Sequence, residues 1–180
     1  MGIETFCIFQ EERQIIRFSN LDKNVLTTYD SIDNHLKLAG EFDRAAVPMG
    51  MYIAWALNLG LIKSEVVAQH EQLVMRVRMQ DAKGSELLMS VGGDLDAGLF
   101  TDRGQRFAAS YYPRYMADYR SIFGEDLYDV EDSWGNYDKI ARVLTQELLG
   151  SANLTRQLVR RVKSGSTSFV NFWKSIWRSE

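Results

Sequence analysis

The sequence predicts a mainly α-helical single domain, and three stretches predict it. Phe42 to Leu61 is the longest apolar run and has charges on both sides. Aromatic residues recur at helical spacing between Asp102 and Phe123, and Tyr137, Ile140, Ala141, Leu144 and Leu148 make an apolar stripe on the segment that follows. A small N-terminal β-hairpin and a C-terminal basic helical tail complete the expected architecture, dividing the chain into a body, 1–150, and a tail, 151–180. With 180 residues, 46% apolar and 25% charged, the chain can bury about two thirds of its unfolded surface without a disulfide or metal staple.

Near the start, TFCIF (Thr5 to Phe9) and QIIRF (Gln14 to Phe18) are β-branched and aromatic runs split by four polar residues. They read either as a hairpin or as one strand followed by a helical turn. Val25 to Tyr29 reads as a short extended piece, and Ser31 to Gly40 as a turn of helix entering a loop. In the central segment Met51, Ala54, Trp55, Leu57 and Leu61 lie at spacings of three and four, while Met49, Ile53, Ala56 and Leu59 fill the opposite side. A helix apolar all round must be covered all round. Pro48 belongs in a first helical turn, where its missing N–H costs nothing, so the start is expected near Val47.

Ser64 opens a second amphipathic helix, expected to reach about Met79, with Val67, His70, Val74 and Val77 on one face. Ser85 is placed as the cap of a short helix that Gly92 and Gly93 close. Thr101 caps a long helix over 102–123 carrying Phe107, Tyr111, Tyr115, Met116, Tyr119 and Phe123. The acidic turn EDLYDVED follows, then Ser133 caps a helix from Trp134 to about Leu149. Beyond Gly150, Leu154 to Lys163 reads as a basic amphipathic helix and Phe169 to Trp177 as a short helix with an aromatic face.

Several chemistries find no support. Cys7 has neither a disulfide partner nor a local base, and no charged and apolar leader opens the chain, so the cytoplasm is the expected compartment. The central apolar run has about 15 residues between Pro48 and Lys63, short of the ~20 needed to cross a bilayer. His35 and His70 are the two histidines and show no zinc-ligand spacing. Asp94, Asp96 and Asp102 lack the carboxylate that would complete a calcium loop, and no nucleophile elbow or phosphate loop occurs. No metal or cofactor is expected.

Charge is uneven. The net value is −3, but residues 151–180 hold six cations against one carboxylate, +5, which leaves −8 on the rest. The tail could meet nucleic acid, a membrane surface or its own acidic body, and the acidic body opposes the first two. Glu125, Asp126, Asp129, Glu131 and Asp132 form an acidic run that has no Lys or Arg within it. It reads as a solvated edge, as paired carboxylates for acid/base work, or as a surface that enters the basic cleft of another protein. An enzymatic alternative places Asp33 and His35 with Asp132, Ser133 and Trp134 around one cleft.

The segments GMYIAWALNLGL, GQRFAASYYPRYMADY and YDVEDSWGNYDKIARVL together resemble an uncharacterised bacterial domain family of unknown function, over about Ile32 to Leu149. The matching positions are Gly50, Met51, Ala54 and Trp55, then Phe107, Tyr111 and Tyr112, then Asp132, Ser133, Trp134, Asn136 and Tyr137. Gly50, Trp55, Phe107, Tyr111, Trp134 and Tyr137 are the expected structural core of the motif. Where such members carry Thr-His before Ile-Gly-Met, Val47 and Pro48 stand here before Met49. Members of this type are often partners in polymorphic toxin systems, so the resemblance implies a non-enzymatic immunity protein that binds a cognate toxin, with Glu125 to Asp132 as its contact.

Overall fold

The computed structural model describes residues 27–151. The expected hairpin between Thr5 and Phe18 and the basic helices beyond Leu154 lie outside the described residues. What is described is mainly helical, as predicted, with one two-stranded sheet.

Strand β1 (Thr28–Ser31) runs antiparallel to β2 (Asp94–Asp96), pairing Thr28 with Asp96 and Ser31 with Asp94 across an irregular register. These partners lie far apart in the chain, so the sheet closes the domain instead of forming a local hairpin. Helix α1 (Ile32–Ala39) leaves β1 at once. The Ser31 side chain caps it by accepting from the Asp33 N–H, and Gly40, at φ 78°, ends it in the left-handed region that glycine enters freely.

Helix α2 (Phe42–Asn58) is the central helix, and every residue from Ala45 to Leu57 is buried. It begins five residues before the expected Val47, so Pro48 lies inside it. An interior proline removes one intrahelical hydrogen bond and typically costs about 3 kcal/mol or more. Burial of the helix on all sides offsets that loss, and the Tyr115 hydroxyl donates to the Pro48 carbonyl at 2.6 Å.

The single amphipathic helix expected after Ser64 is two: α3 (Ser64–Gln69) and α4 (Glu71–Arg78), broken at His70, whose φ of −116° leaves the helical region. The break lets the two pieces cover the core unequally, with Val74 and Val77 buried but Val66 and Val67 only half-buried. Helix α5 (Gly84–Ser90) starts before the expected Ser85 cap. Its cap position is Lys83, whose N–H is accepted by the Glu86 carboxylate at 2.8 Å. Gly84 explains the shift, because it meets Gly50 of α2 backbone to backbone: a Cβ on Gly84 would stand 1.9 Å from the Gly50 carbonyl oxygen.

A short 3-10 turn (Ala97–Leu99) leads to α6 (Asp102–Phe123), whose bounds and Thr101 cap are those predicted. One face of α6 is an aromatic ladder. Neighbouring ring centroids lie 6.0 Å apart at Tyr115 and Tyr119 and 4.6 Å apart at Tyr119 and Phe123. From α2, Tyr52 meets Tyr112 edge-on at 5.0 Å. After the 124–133 turn, α7 covers residues 134–151, with Ile140, Leu144 and Leu148 buried as the stripe predicted. It runs through Gly150, the expected end of the body. Trp55 of α2 donates its indole N–H to Thr145 of α7 at 3.0 Å. No helix among the described residues is long and apolar enough to cross a membrane.

A candidate binding groove beside the acidic turn

The turn between α6 and α7 folds back over α1 and encloses a groove of about 670 Å³. On one side stand His35 and Leu38 of α1; on the other stand Glu125, Asp126 and Tyr128 of the turn. Arg44 of α2 and Arg120 of α6 reach in from the flanks.

His35 is buried and both ring nitrogens are engaged. Its Nε2 lies 2.8 Å from Asp30 Oδ2, and its Nδ1 lies 2.7 Å from the Tyr128 hydroxyl. Asp30, the last residue but one of β1, is the hub. Its carboxylate accepts from the Tyr112 hydroxyl at 2.9 Å, the Asn34 amide at 3.1 Å and the Ser31 N–H at 2.9 Å. Burial alone would raise the Asp30 pKa, but the hydrogen bonds from His35 and Asn34, the adjacent His35 ring and the Tyr112 bond outweigh it, so the carboxyl ends below its usual range. Tyr128 moves the other way: burial, then the Asp30 charge, push its phenol up, against Arg120, so it holds its proton at neutral pH.

Asp33, which the sequence placed beside His35 in a cleft, is exposed and serves the α1 cap with its backbone N–H. The carboxylate that does face His35 is Asp30. The signal for it was local, an Asp immediately before the Ser31 cap and five residues before the His, a position from which the chain can bend back over the first helical turn.

The second half of the expected cleft is elsewhere. Ser85 donates its hydroxyl to the Asp132 carboxyl, beside a second hollow of about 420 Å³. Burial holds the Asp132 carboxyl above its usual range, opposed by the Ser85 bond and Lys83 and helped by Glu86. Ser133 caps α7 through the Asn136 N–H at 3.3 Å, and the Trp134 indole N–H donates to the Gln80 carbonyl at 3.1 Å. Arg44, Tyr128 and Asp129 border both hollows and form the wall between them. His35 and Asp132 therefore do not share one cleft.

The five carboxylates of the expected acidic surface fare differently. Glu125, Asp126, Asp129 and Glu131 are exposed, whereas Asp132 turns inward to Ser85. Asp129 forms an ion pair with Arg44, and Glu125 lies 3.2 Å from Arg120. The arginines come from other elements, which is why a run without internal cations looked unpaired. Gly50, Trp55, Phe107 and Tyr111 are buried, while Trp134 and Tyr137 are half-buried with ring centroids 4.8 Å apart. Among the described residues no three His, Cys, Asp or Glu side chains are grouped to hold a metal ion.

Residues 28–132 match the family described as Domain of unknown function (DUF7832). The chain belongs to this family. The DUF7832 match begins at β1 and ends at Asp132, so it contains Asp30, His35, Tyr112 and Tyr128, both lips of the groove and the glycine crossing of α2 with α5. Trp134, Asn136 and Tyr137, which carried much of the resemblance in sequence, fall beyond it. Compared with curated proteins and with solved structures, this DUF7832 chain finds no match.

Proposed function

We propose that the protein is a non-catalytic binding protein that neutralises a partner protein by docking the groove and its acidic lip onto a basic surface of that partner. The observation that carries this reading is the pairing of apolar and acidic groups across the groove. Leu38 is 76% exposed on one rim and Phe42 56% exposed on the adjoining α1–α2 corner, while Glu125 and Asp126 line the opposite side. An exposed aliphatic side chain in the same groove as unburied carboxylates suits a protein surface with an apolar anchor and cations around it. The resemblance to partners in polymorphic toxin systems makes a toxin the expected partner, and this protein the immunity component, acting in the cytoplasm.

Capture from host lysate and mass spectrometry supply the partner, and affinity for the purified partner tests the surface. Leu38→Asp and the double variant Glu125→Lys with Asp126→Lys each weaken binding tenfold or more while leaving the melting temperature unchanged. Unchanged affinity in both variants refutes the assignment.

One observation favours a second reading. Asp30, His35 and Tyr128 stand in the order orienting carboxylate, base and hydroxyl, at hydrogen-bond distances that a hydroxyl-activating relay needs. A small-molecule ligand, enzymatic or not, would then enter the groove and raise the melting temperature; no stabilisation across a broad ligand screen counts against it.

A further inference from the structure

The Asp30 carboxylate has only lone pairs to offer, so the His35 nitrogen that faces it, Nε2, carries a proton. In the neutral ring Nδ1 is then bare, and the Tyr128 hydroxyl must donate to it across 2.7 Å. The lone pairs of that hydroxyl are left for the groove. When His35 gains its second proton, Nδ1 becomes a donor, the phenol oxygen accepts from it, and the phenol's own proton must leave that line. The ring keeps both partners in either state, while the Tyr128 hydroxyl changes from donating toward the ring to donating away from it.

We propose that His35 is a proton switch that sets whether the Tyr128 hydroxyl offers the groove an acceptor or a donor. The charged groups around it leave the switch to His35 alone. On β1, Asp30 is already ionised, held there by its donors. On α6, the Tyr112 hydroxyl is committed to Asp30, and Arg120 is paired with Glu125. On α2, Arg44 is paired with Asp129 and also donates to the Tyr128 carbonyl at 3.0 Å. Asp126 is the remaining carboxylate of the groove, exposed on its lip. A second proton on the His35 ring is therefore sufficient to turn the Tyr128 hydroxyl around.

The consequence for recognition rests on the partner-binding reading above. A partner ammonium or guanidinium against Tyr128 finds an acceptor when His35 is neutral, and finds a donor plus a new positive charge when it is protonated. Binding of such a partner releases the His35 proton, so its Kd rises by up to about tenfold per pH unit on the acid side.

The switch itself is tested on the free full-length chain, so its failure is separable from failure of the partner reading. The ring nitrogens of His35 and the ring carbon bearing the Tyr128 hydroxyl are followed by NMR from pH 8 to 5, with His70→Gln used to assign the histidine signals. The expected result is a neutral ring protonated at Nε2, and a Tyr128 carbon shift with the same midpoint as His35. In Tyr128→Phe the amides of residues 125–132 stop following that midpoint. A neutral ring protonated at Nδ1, or a Tyr128 carbon that stays flat while His35 titrates, overturns the proposal.

Discussion

Replacing Gly50 by alanine tests the crossing on which the rest of the domain is built. A Cβ at Gly50 would lie 2.4 Å from the Ser85 nitrogen, 2.7 Å from the Ser85 Cα and 2.9 Å from the Gly84 carbonyl carbon. All three are backbone atoms, so no side chain can rotate out of the way. Ordinary contact begins near 3.4 Å, so α2 and α5 must part by about 1 Å. Overpacking a well-filled core costs about 1–3 kcal/mol, and a clash with backbone on both sides belongs at the upper end. The helix itself gains about 1 kcal/mol from Gly→Ala. The net expectation is a loss of about 2 kcal/mol, or roughly 4–8 °C in Tm for a chain of this size.

Urea unfolding of the full chain measures it. Gly135→Ala is the control, because Gly135 lies in α7 with nothing within 4 Å of a Cβ, and it should gain up to about 1 kcal/mol. If Gly50→Ala matches the wild type or gains like Gly135→Ala, the backbone contact is not made and the argument from the crossing fails.

Tyr119 is buried with no partner for its hydroxyl among the described residues, so Tyr119→Phe should keep or raise stability; a loss beyond about 1 kcal/mol would show that the hydroxyl is bonded. The acid limb of stability separates Asp30 from Asp132 by sign. The Asp30 pKa is lowered in the fold, so its ionised form stabilises above about pH 4, its ordinary range, and that contribution is lost as pH falls through the lowered value. Asp30→Asn should therefore destabilise at pH 7 and flatten the acid limb. The Asp132 pKa is raised, so its contribution is full below about pH 4 and is lost as pH rises through the raised value. Asp132→Asn, whose amide oxygen still accepts from Ser85, should hold or gain stability at pH 7 relative to wild type, and gain less near pH 4.

What was legible in the sequence is what depends on periodicity and caps. The α6 bounds followed from Thr101 and the aromatic spacing, and the α7 stripe from Ile140, Leu144 and Leu148. Pro48 misled because the local rule against an interior proline was outweighed by burial on every side, a property of the whole fold and not of the segment. The glycines at 50 and 84 stand where helices touch, and that contact has no signature in either helix alone. The same holds for the site. Asp30 and His35 are neighbours in sequence, but Tyr112 and Tyr128 reach them only through tertiary packing. The arginines that pair with the acidic turn come from α2 and α6, so counting charges within the turn overstated its free charge.

The way the turn is held bears on how it could bind. Tyr128 is tied to α1 through its hydroxyl and to α2 through its carbonyl, and Asp132 is tied to α5 through Ser85. Three anchors on three helices set the lip before any partner arrives, which reduces the ordering cost of association. The ion pairs on that lip are of another kind. Arg120 with Glu125 and Arg44 with Asp129 are solvent-exposed pairs, and such pairs contribute about 0–1 kcal/mol each. A partner cation can replace Arg120 at small cost, whereas Arg44 also donates to the Tyr128 carbonyl and is itself one of the three anchors. The position of the lip therefore rests on the contacts of Tyr128 and Asp132, and its exchangeable charge is at Glu125. A recognition surface benefits from that division, because its shape is set before contact and its charge can be exchanged for the partner's.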